Sequence, residues 1–363
     1  MSQDSREHTA AQSFSLWKWI AWTTAVLAGL WVAITAVQRY RMEKLRTEVE
    51  SRGGRLEGQV IQPRWYSWLA TKVPNGWPRQ TVLKFSDSFR RVVHVHLPEG
   101  SFLPPDFVSR LSIFRQVQQL DLPNCDLSDA DLEKLSAFSE LHHLNLNGNR
   151  VSDRGLAELD RLPLLRTLEL GQTRVGDGVL RQVSSLKSLV SLNVSATLVT
   201  DDGLRAMASP PRLRYLYLSG NRITDSGLSA MDAQPVLILL ELTGCPISDQ
   251  GLREINDSRF PSLQSLNVAE TQVTADGIAD MKLNGLRELK WLTFPHVRMM
   301  DHHWLSLAEI KSLVRLNWGD VQLRREIRWS PTTRSRMPLD SFEVVGIPGR
   351  EFYPLRSKPF FSR

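Results

Sequence analysis

Between Val92 and Trp318, apolar residues recur ten times in the spacing LxxLxL, starting at Val92, Val117, Leu141, Leu165, Leu189, Leu213, Leu237, Leu263, Leu289 and Leu313. Each start follows the last by 24 to 26 residues, and all thirty positions of the pattern are apolar. In a chain that is 42% hydrophobic, chance produces this about once in 10^11 trials before choice of register. A fixed period of this length marks a solenoid of stacked coils. Within each coil LxxLxL predicts a short strand, because alternating side chains put its second and third apolar positions on one face. Strands of successive coils are expected to pair in parallel, about 4.8 Å apart.

After each strand comes a small residue or Asn (Cys125, Asn149, Thr173, Thr197, Asn221, Cys245, Thr271), suited to bonding the backbone where the chain turns inward. An apolar residue and a helix start follow, as in Val151-Ser-Asp-Arg-Gly-Leu156, Val199-Thr-Asp-Asp-Gly-Leu204, Ile223-Thr-Asp-Ser-Gly-Leu228 and Ile247-Ser-Asp-Gln-Gly-Leu252. Ser152, Thr200, Thr224 and Ser248 are apt N-caps, and Asp153, Asp201, Asp225 and Asp249 sit where a helix dipole favours negative charge. Apolar residues then recur at helical spacing, as at Leu156 and Leu159 or Leu204 and Met207. That face can be buried only against neighbouring coils, so the two ends need caps.

The phrase (V/I)-(S/T)-D-x-G-L after LxxLxLxx(N/T/C) resembles the cysteine-containing subclass of leucine-rich repeats, over about 92–323. The resemblance implies an α/β solenoid with a curved parallel sheet on the concave face and short helices on the convex face. It specifies a fold rather than an activity, and the role it implies is that of a protein-interaction module. In eukaryotes the subclass accompanies F-box substrate adaptors of ubiquitin ligases, which makes a substrate-adaptor-like role one alternative; no F-box-like segment precedes these repeats. Similar repeats abound in bacterial proteins, notably of planctomycetes. The N-terminal part is similar to membrane-anchored members of that group: one hydrophobic helix, a charged stalk leading to Gly53-Gly54, a Trp/Pro-rich connector and then the repeats.

Trp19 to Val37 is a run of nineteen uncharged residues, which as a helix spans about 28 Å, close to a ~30 Å hydrocarbon core. Trp17, Trp19 and Trp22 crowd one end and Trp31 and Tyr40 approach the other, as interfacial aromatics do. A cleaved signal peptide fits less well, because no A-x-A pair follows and the run is long for such a segment. The chain therefore divides into an N-terminal tail (1–16), a transmembrane anchor (17–40), a charged stalk and Trp/Pro-rich N-terminal cap (41–91), the repeats (92–323) and a basic, partly capping tail (324–363). Residues 41–56 read as a charged helix continuing from the anchor. Arg39, Arg41, Lys44 and Arg46 outnumber the positive charges before the anchor, so the positive-inside rule puts the repeats in the cytoplasm of a single-pass protein.

The formal net charge is +6, and Val321–Arg363 supplies nine Lys/Arg against four Asp/Glu. The basicity is mostly a property of the tail, which suggests contact with anionic lipid as an alternative role, together with Trp65, Trp68 and Trp77 of the connector. No nucleic-acid motif accompanies it. Phe342, Val344, Val345, Ile347, Phe352 and Tyr353 suggest that part of the tail folds back as a cap. Cys125 and Cys245, the only cysteines, occupy one repeat position five coils apart, about 24 Å by strand spacing. That is beyond the reach of a disulfide.

No phosphate-cradling loop, nucleophile elbow, H-E-x-x-H or paired-Cys motif appears, so no catalysis and no cofactor are expected. His94, His96, Asp121 and His143 invite a metal reading but offer no tight ligand pair, and His302-His303 are expected to diverge. Function is expected on outward strand positions. Tyr215, Tyr217, Leu239 and Trp291 are of the kind that anchors interfaces; with Glu241, His143 and Asn193 they form the candidate partner-binding set. The partner is expected to be a protein; the sequence leaves oligomeric state open.

Overall fold

The computed structural model describes residues 37, 40–41, 43–60, 90–104, 106–112, 114–281, 285–318, 321–325 and 342–345. Apart from Val37, the Trp19–Val37 run lies outside the described residues, as do Trp65, Trp68, Trp77, Phe352 and Tyr353. Among the described residues no helix is long and apolar enough to cross a membrane. The chain folds as two compact units, Met1–Pro98 and Glu99–Arg363.

In the first unit, residues 43–51 are helical and carry the ion pairs Arg46–Glu50 (2.7 Å) and Glu48–Arg52 (3.4 Å). The helix stops earlier than its charge pattern suggested. Gly53 turns left-handed (φ 76°), and the N–H groups of Gly53 and Gly54 donate to Glu50 O (3.0 Å) and Val49 O (2.9 Å). These two bonds close the last turn as a Schellman motif. Arg55 and Leu56, expected as helix, instead open β1 (Arg55–Val60), which pairs antiparallel with β2 (Arg90–His96). Gly54 has no room for a side chain: an added Cβ would lie 2.8 Å from both His96 O and Val49 Cγ1.

The second unit is the coil stack. Its strands are β3 (Gln119–Asp121), β4 (His143–Asn145), β5 (Thr167–Glu169), β6 (Ser191–Asn193), β7 (Tyr215–Tyr217), β8 (Leu239–Glu241), β9 (Ser265–Asn267), β10 (Trp291–Phe294) and β11 (Arg315–Trp318), each parallel to the next in that order. The register never slips, so Leu120, Leu144, Leu168, Leu192, Leu216, Leu240, Leu266, Leu292 and Leu316 form one row under the sheet. Every residue of that row is buried. The tail adds β12 (Val321–Arg325) and β13 (Phe342–Val345), both antiparallel, which continue the sheet past β11. Helices of successive coils lie against one another as the strands do.

The return segments are not all α-helical. The two coils from Ser128 to Leu162 use 3-10 turns at Asp129–Leu132, Leu135–Ala137 and Leu159–Arg161. There the apolar residues fall every third position (Leu132, Leu135, Phe138; Leu156, Leu159, Leu162), which matches three residues per turn. Leu156 and Leu159, expected on a helix, therefore lie on a turn and a 3-10 segment; both are fully buried. From Asp177 onward the segments are short α-helices, including Asp201–Ala206, Asp225–Ala230, Asp249–Glu254 and Ala275–Asp280.

Two sets of hydrogen bonds sew the coils together. Asn149, fully inside, accepts from the N–H of Cys125 (3.0 Å) and Leu127 (2.9 Å) and donates to the carbonyls of Leu122 and Leu146 (both 2.8 Å). Asn221 repeats this with Thr197, Val194 and Leu218. On the other side, the Thr200, Thr224 and Ser248 hydroxyls accept from N–H groups of their own helices at 3.2–3.3 Å, as N-caps do. The Asp that follows each cap reaches into the next coil: Asp177 accepts from Thr200, Asp201 from Thr224 and Asp249 from Thr274, each through backbone N–H and hydroxyl at 2.6–2.8 Å. Asp225 holds Ser248 the same way. Partial burial pushes the Asp129 carboxyl upward. The Ser152 hydroxyl, the Ser152 and Gly155 N–H groups and the Arg154 charge outweigh it, so its net shift is below the usual carboxylate range.

The cysteines are buried and free. Burial pushes the Cys125 thiol up to about 11 and shifts Cys245 the same way. A thiolate is the reactive form, so the native chain is expected to take up almost no thiol reagent at pH 8. Two equivalents should appear on unfolding. Rapid labelling of both in the absence of denaturant, followed by absorbance, contradicts this packing.

Candidate functional site

The sheet face turned away from the core carries two straight rows of side chains. The first runs Gln119, His143, Thr167, Ser191, Tyr215, Leu239, Ser265, Trp291, Arg315, and the second Asp121, Asn145, Glu169, Asn193, Tyr217, Glu241, Asn267, Thr293, Asn317. Both follow from the strand's alternation: what is not in the leucine row points outward.

Tyr215 and Leu239 are immediate neighbours in the first row, and Trp291 stands two strands beyond Leu239. Ser265 occupies the strand between them, so a small residue sits in a notch about 10 Å wide with Leu239 and Trp291 as its walls. Trp291 is 42% exposed, the largest apolar side chain presented on this face. Tyr215, Leu239 and Tyr217 are half-buried. The aromatic and aliphatic residues singled out in the sequence are thus gathered on β7 to β10.

His143 is not part of that group. It lies on β4, three strands from Tyr215, between Gln119 and Thr167. Asn193 and Glu241 flank Tyr217 in the second row, but scaffold hydrogen bonds occupy both. The Asn193 amide donates to Glu169 Oε2 (2.8 Å), and its Oδ1 accepts from Ser195 N–H (2.9 Å). Glu241 Oε1 accepts from the hydroxyls of Ser219 (3.3 Å) and Thr243. Asn145 and Asn267 likewise brace their own turns through Asn147 and Ala269 N–H (both 3.0 Å). Glu169 was not singled out in the sequence; its place beside Asn193 in the second row is the signal that could have found it.

Burial raises the Tyr217 hydroxyl above its ordinary value, and the charges of Glu169 and Glu241 and the neighbouring Tyr215 push the same way. Tyr217 stays a neutral phenol at physiological pH, in a negative local potential.

His302 and His303 do not diverge as expected: their ring centroids are 3.9 Å apart. With Asp276 they bring potential metal-ligand atoms within 4.8 Å of one another. The hydrogen bonds of buried His303 assign a different role. Its Nδ1 accepts from Met300 N–H (2.9 Å), so the ring proton is on Nε2, which donates to Asp276 Oδ1 (2.8 Å). Neither ring nitrogen keeps a lone pair for an ion. Ala275 stands where earlier coils have the clamping Asp, and the His303–Asp276 bond joins these two coils instead.

Two stretches, 140–159 and 211–231, match the Leucine Rich repeat family model. The comparison with curated proteins finds none that matches. Among solved structures the chain is similar to an internalin from Listeria monocytogenes, at 20% identity and a TM-score of 0.42, covering 58% of this chain and 64% of that one. A TDR receptor aligns at 18% identity and 0.38, covering 63% of this chain and 39% of the other. A plant ice-binding protein aligns at 17% and 0.42, over 64% and 73%. The coils of 99–318 are leucine-rich repeats, and the chain is a leucine-rich-repeat protein.

Proposed function

We propose that this chain is a non-catalytic binding protein, tethered to a membrane by residues 17–40, that holds a protein partner on the outward, concave face of its repeat sheet. The contact patch comprises Tyr215, Tyr217, Leu239 and Trp291. One observation carries the reading: four large side chains with solvent-facing surface converge on adjacent strands of a rigid sheet. Their outward positions do nothing for the leucine interior. Rigid aromatic anchors of this kind lose little conformational entropy on docking and concentrate binding energy. The tether supports the reading through its length and flanking tryptophans, and its flanking charges favour repeats on the cytoplasmic side.

The test is proximity labelling from the repeat unit of the full chain in native membranes, comparing the unaltered protein with Tyr215→Ala/Trp291→Ala. The double variant is expected to lose one or a few labelled protein neighbours while retaining its membrane fraction. Neighbours unchanged by the variant, with membrane retention altered by deletion of 324–363, overturn the reading in favour of a lipid-surface scaffold.

A further inference from the structure

The second outward row holds fixed negative charge that the chain does not balance. Glu169 and Glu241 are half-buried and lie three strands apart, with Asn193 and Tyr217 between them. Each carboxylate is oriented only by neutral donors, Glu169 by the Asn193 amide and Glu241 by the Ser219 and Thr243 hydroxyls. Among the described residues neither takes part in an ion pair, whereas exposed carboxylates elsewhere do, as in Asp126–Arg150, Glu158–Arg161 and Asp202–Arg205. Arg166 and Arg214 precede β5 and β7 at the opposite end of the strands and pair with neither. Holding carboxylates partly out of water without a counter-charge is costly, and a cation delivered by a ligand relieves that cost. The phenol ring of Tyr217 offers the same cation its π-face.

Resting on the reading of this face as a partner-binding surface, we propose that the bound partner presents a basic polypeptide segment. A Lys or Arg side chain seats over Tyr217 between Glu169 and Glu241, and an adjacent apolar side chain fills the notch above Ser265 between Leu239 and Trp291. Alternating side chains of an extended segment deliver both contacts. The basic group meets the second row while its apolar neighbour meets the first.

Three fluorescein-labelled hexapeptides serve as probes against the full chain in detergent, read by fluorescence anisotropy: Gly-Arg-Leu-Lys-Leu-Gly, the acidic Gly-Glu-Leu-Asp-Leu-Gly and the apolar-free Gly-Arg-Ser-Lys-Ser-Gly. The first is expected to bind best. The double variant Glu169→Gln/Glu241→Gln, which keeps the hydrogen-bond acceptors, is expected to weaken it about tenfold and to flatten its salt dependence. Trp291→Ala is expected to weaken the first peptide and leave the third unchanged. If the basic peptide binds no better than the acidic one, or the Gln variant binds it as well as the original with an unchanged melting curve, the charge assignment is wrong. In either case a loss on Trp291→Ala still upholds the face itself. If Tyr217→Ala and Trp291→Ala both leave binding intact, the face reading fails as well, and absence of binding by the basic peptide overturns this proposal outright.

Discussion

Replacing Asn149 by alanine is expected to destabilise the repeat stack by about 3–6 kcal/mol, a large share of the net stability of a domain. The side chain serves four backbone groups at once, two N–H and two C=O, from two consecutive coils. It is only 2% exposed, so water cannot replace it. A buried backbone group left unpaired costs about 1–3 kcal/mol, and partial relaxation keeps the total below the sum. Asn149→Asp separates the halves of the effect: it keeps an acceptor for Cys125 and Leu127 but presents no amide donor to Leu122 and Leu146. Urea titration followed by far-UV circular dichroism measures both. An Asn149→Ala midpoint within the range of an exposed substitution would remove the asparagine from its role as a seam between coils.

The second large effect lies on the opposite side of the coils, at Gly227. Its φ is not left-handed, so the reason for glycine is space rather than backbone freedom. An added Cβ would collide with the Asp201 carboxylate, and the Asp201 Cα would be 3.1 Å away. Gly155 and Gly178 stand in the same relation to Asp129 and Asp153. Gly227→Ala is expected to cost about 2–3 kcal/mol, the usual range for forcing a methyl into a filled site. Asp201→Ala is expected to cost a similar ~2 kcal/mol by freeing the Thr224 N–H and hydroxyl. The two losses should not add. Without the carboxylate the methyl fits, so the double variant is expected to fall short of the sum by about 1 kcal/mol or more. Strict additivity in the same urea titrations would contradict the contact.

Much of this architecture was legible in the residues because a two-residue alternation repeated every two dozen positions leaves little freedom. The thirty apolar positions, the parallel register and both outward rows follow from it. The clamp was only half legible. Ser and Thr before Asp are the ordinary signature of a helix start, and that signature concealed the carboxylate's second task in the following coil. The left-handed corner at the end of each strand escaped notice because only Gly148, Gly220 and Gly244 announce it; Asn124, Gln172, Ala196 and Glu270 take the same conformation without being glycine. At the site, the outward positions of Tyr215, Leu239 and Trp291 could be read directly. The commitments of Asn193 and Glu241 to the scaffold could not, because both depend on partners one coil away or across a turn. The 3-10 character of the coils from Ser128 to Leu162 was visible in the spacing of Leu132, Leu135 and Phe138, but a spacing of three also suits an α-helix.

The carboxylate clamps all point the same way along the chain, and this gives the stack a grammar. Excising residues 201–224 would join Thr200 to Asp225, so that Asp177 still finds a threonine ahead of it and Asp225 still finds Ser248. Whole modules can therefore be lost or copied without leaving a scar, whereas an insertion of any other length breaks a sentence in the middle. Such an array can lengthen its binding face by duplication, with selection acting afterwards only on the outward residues.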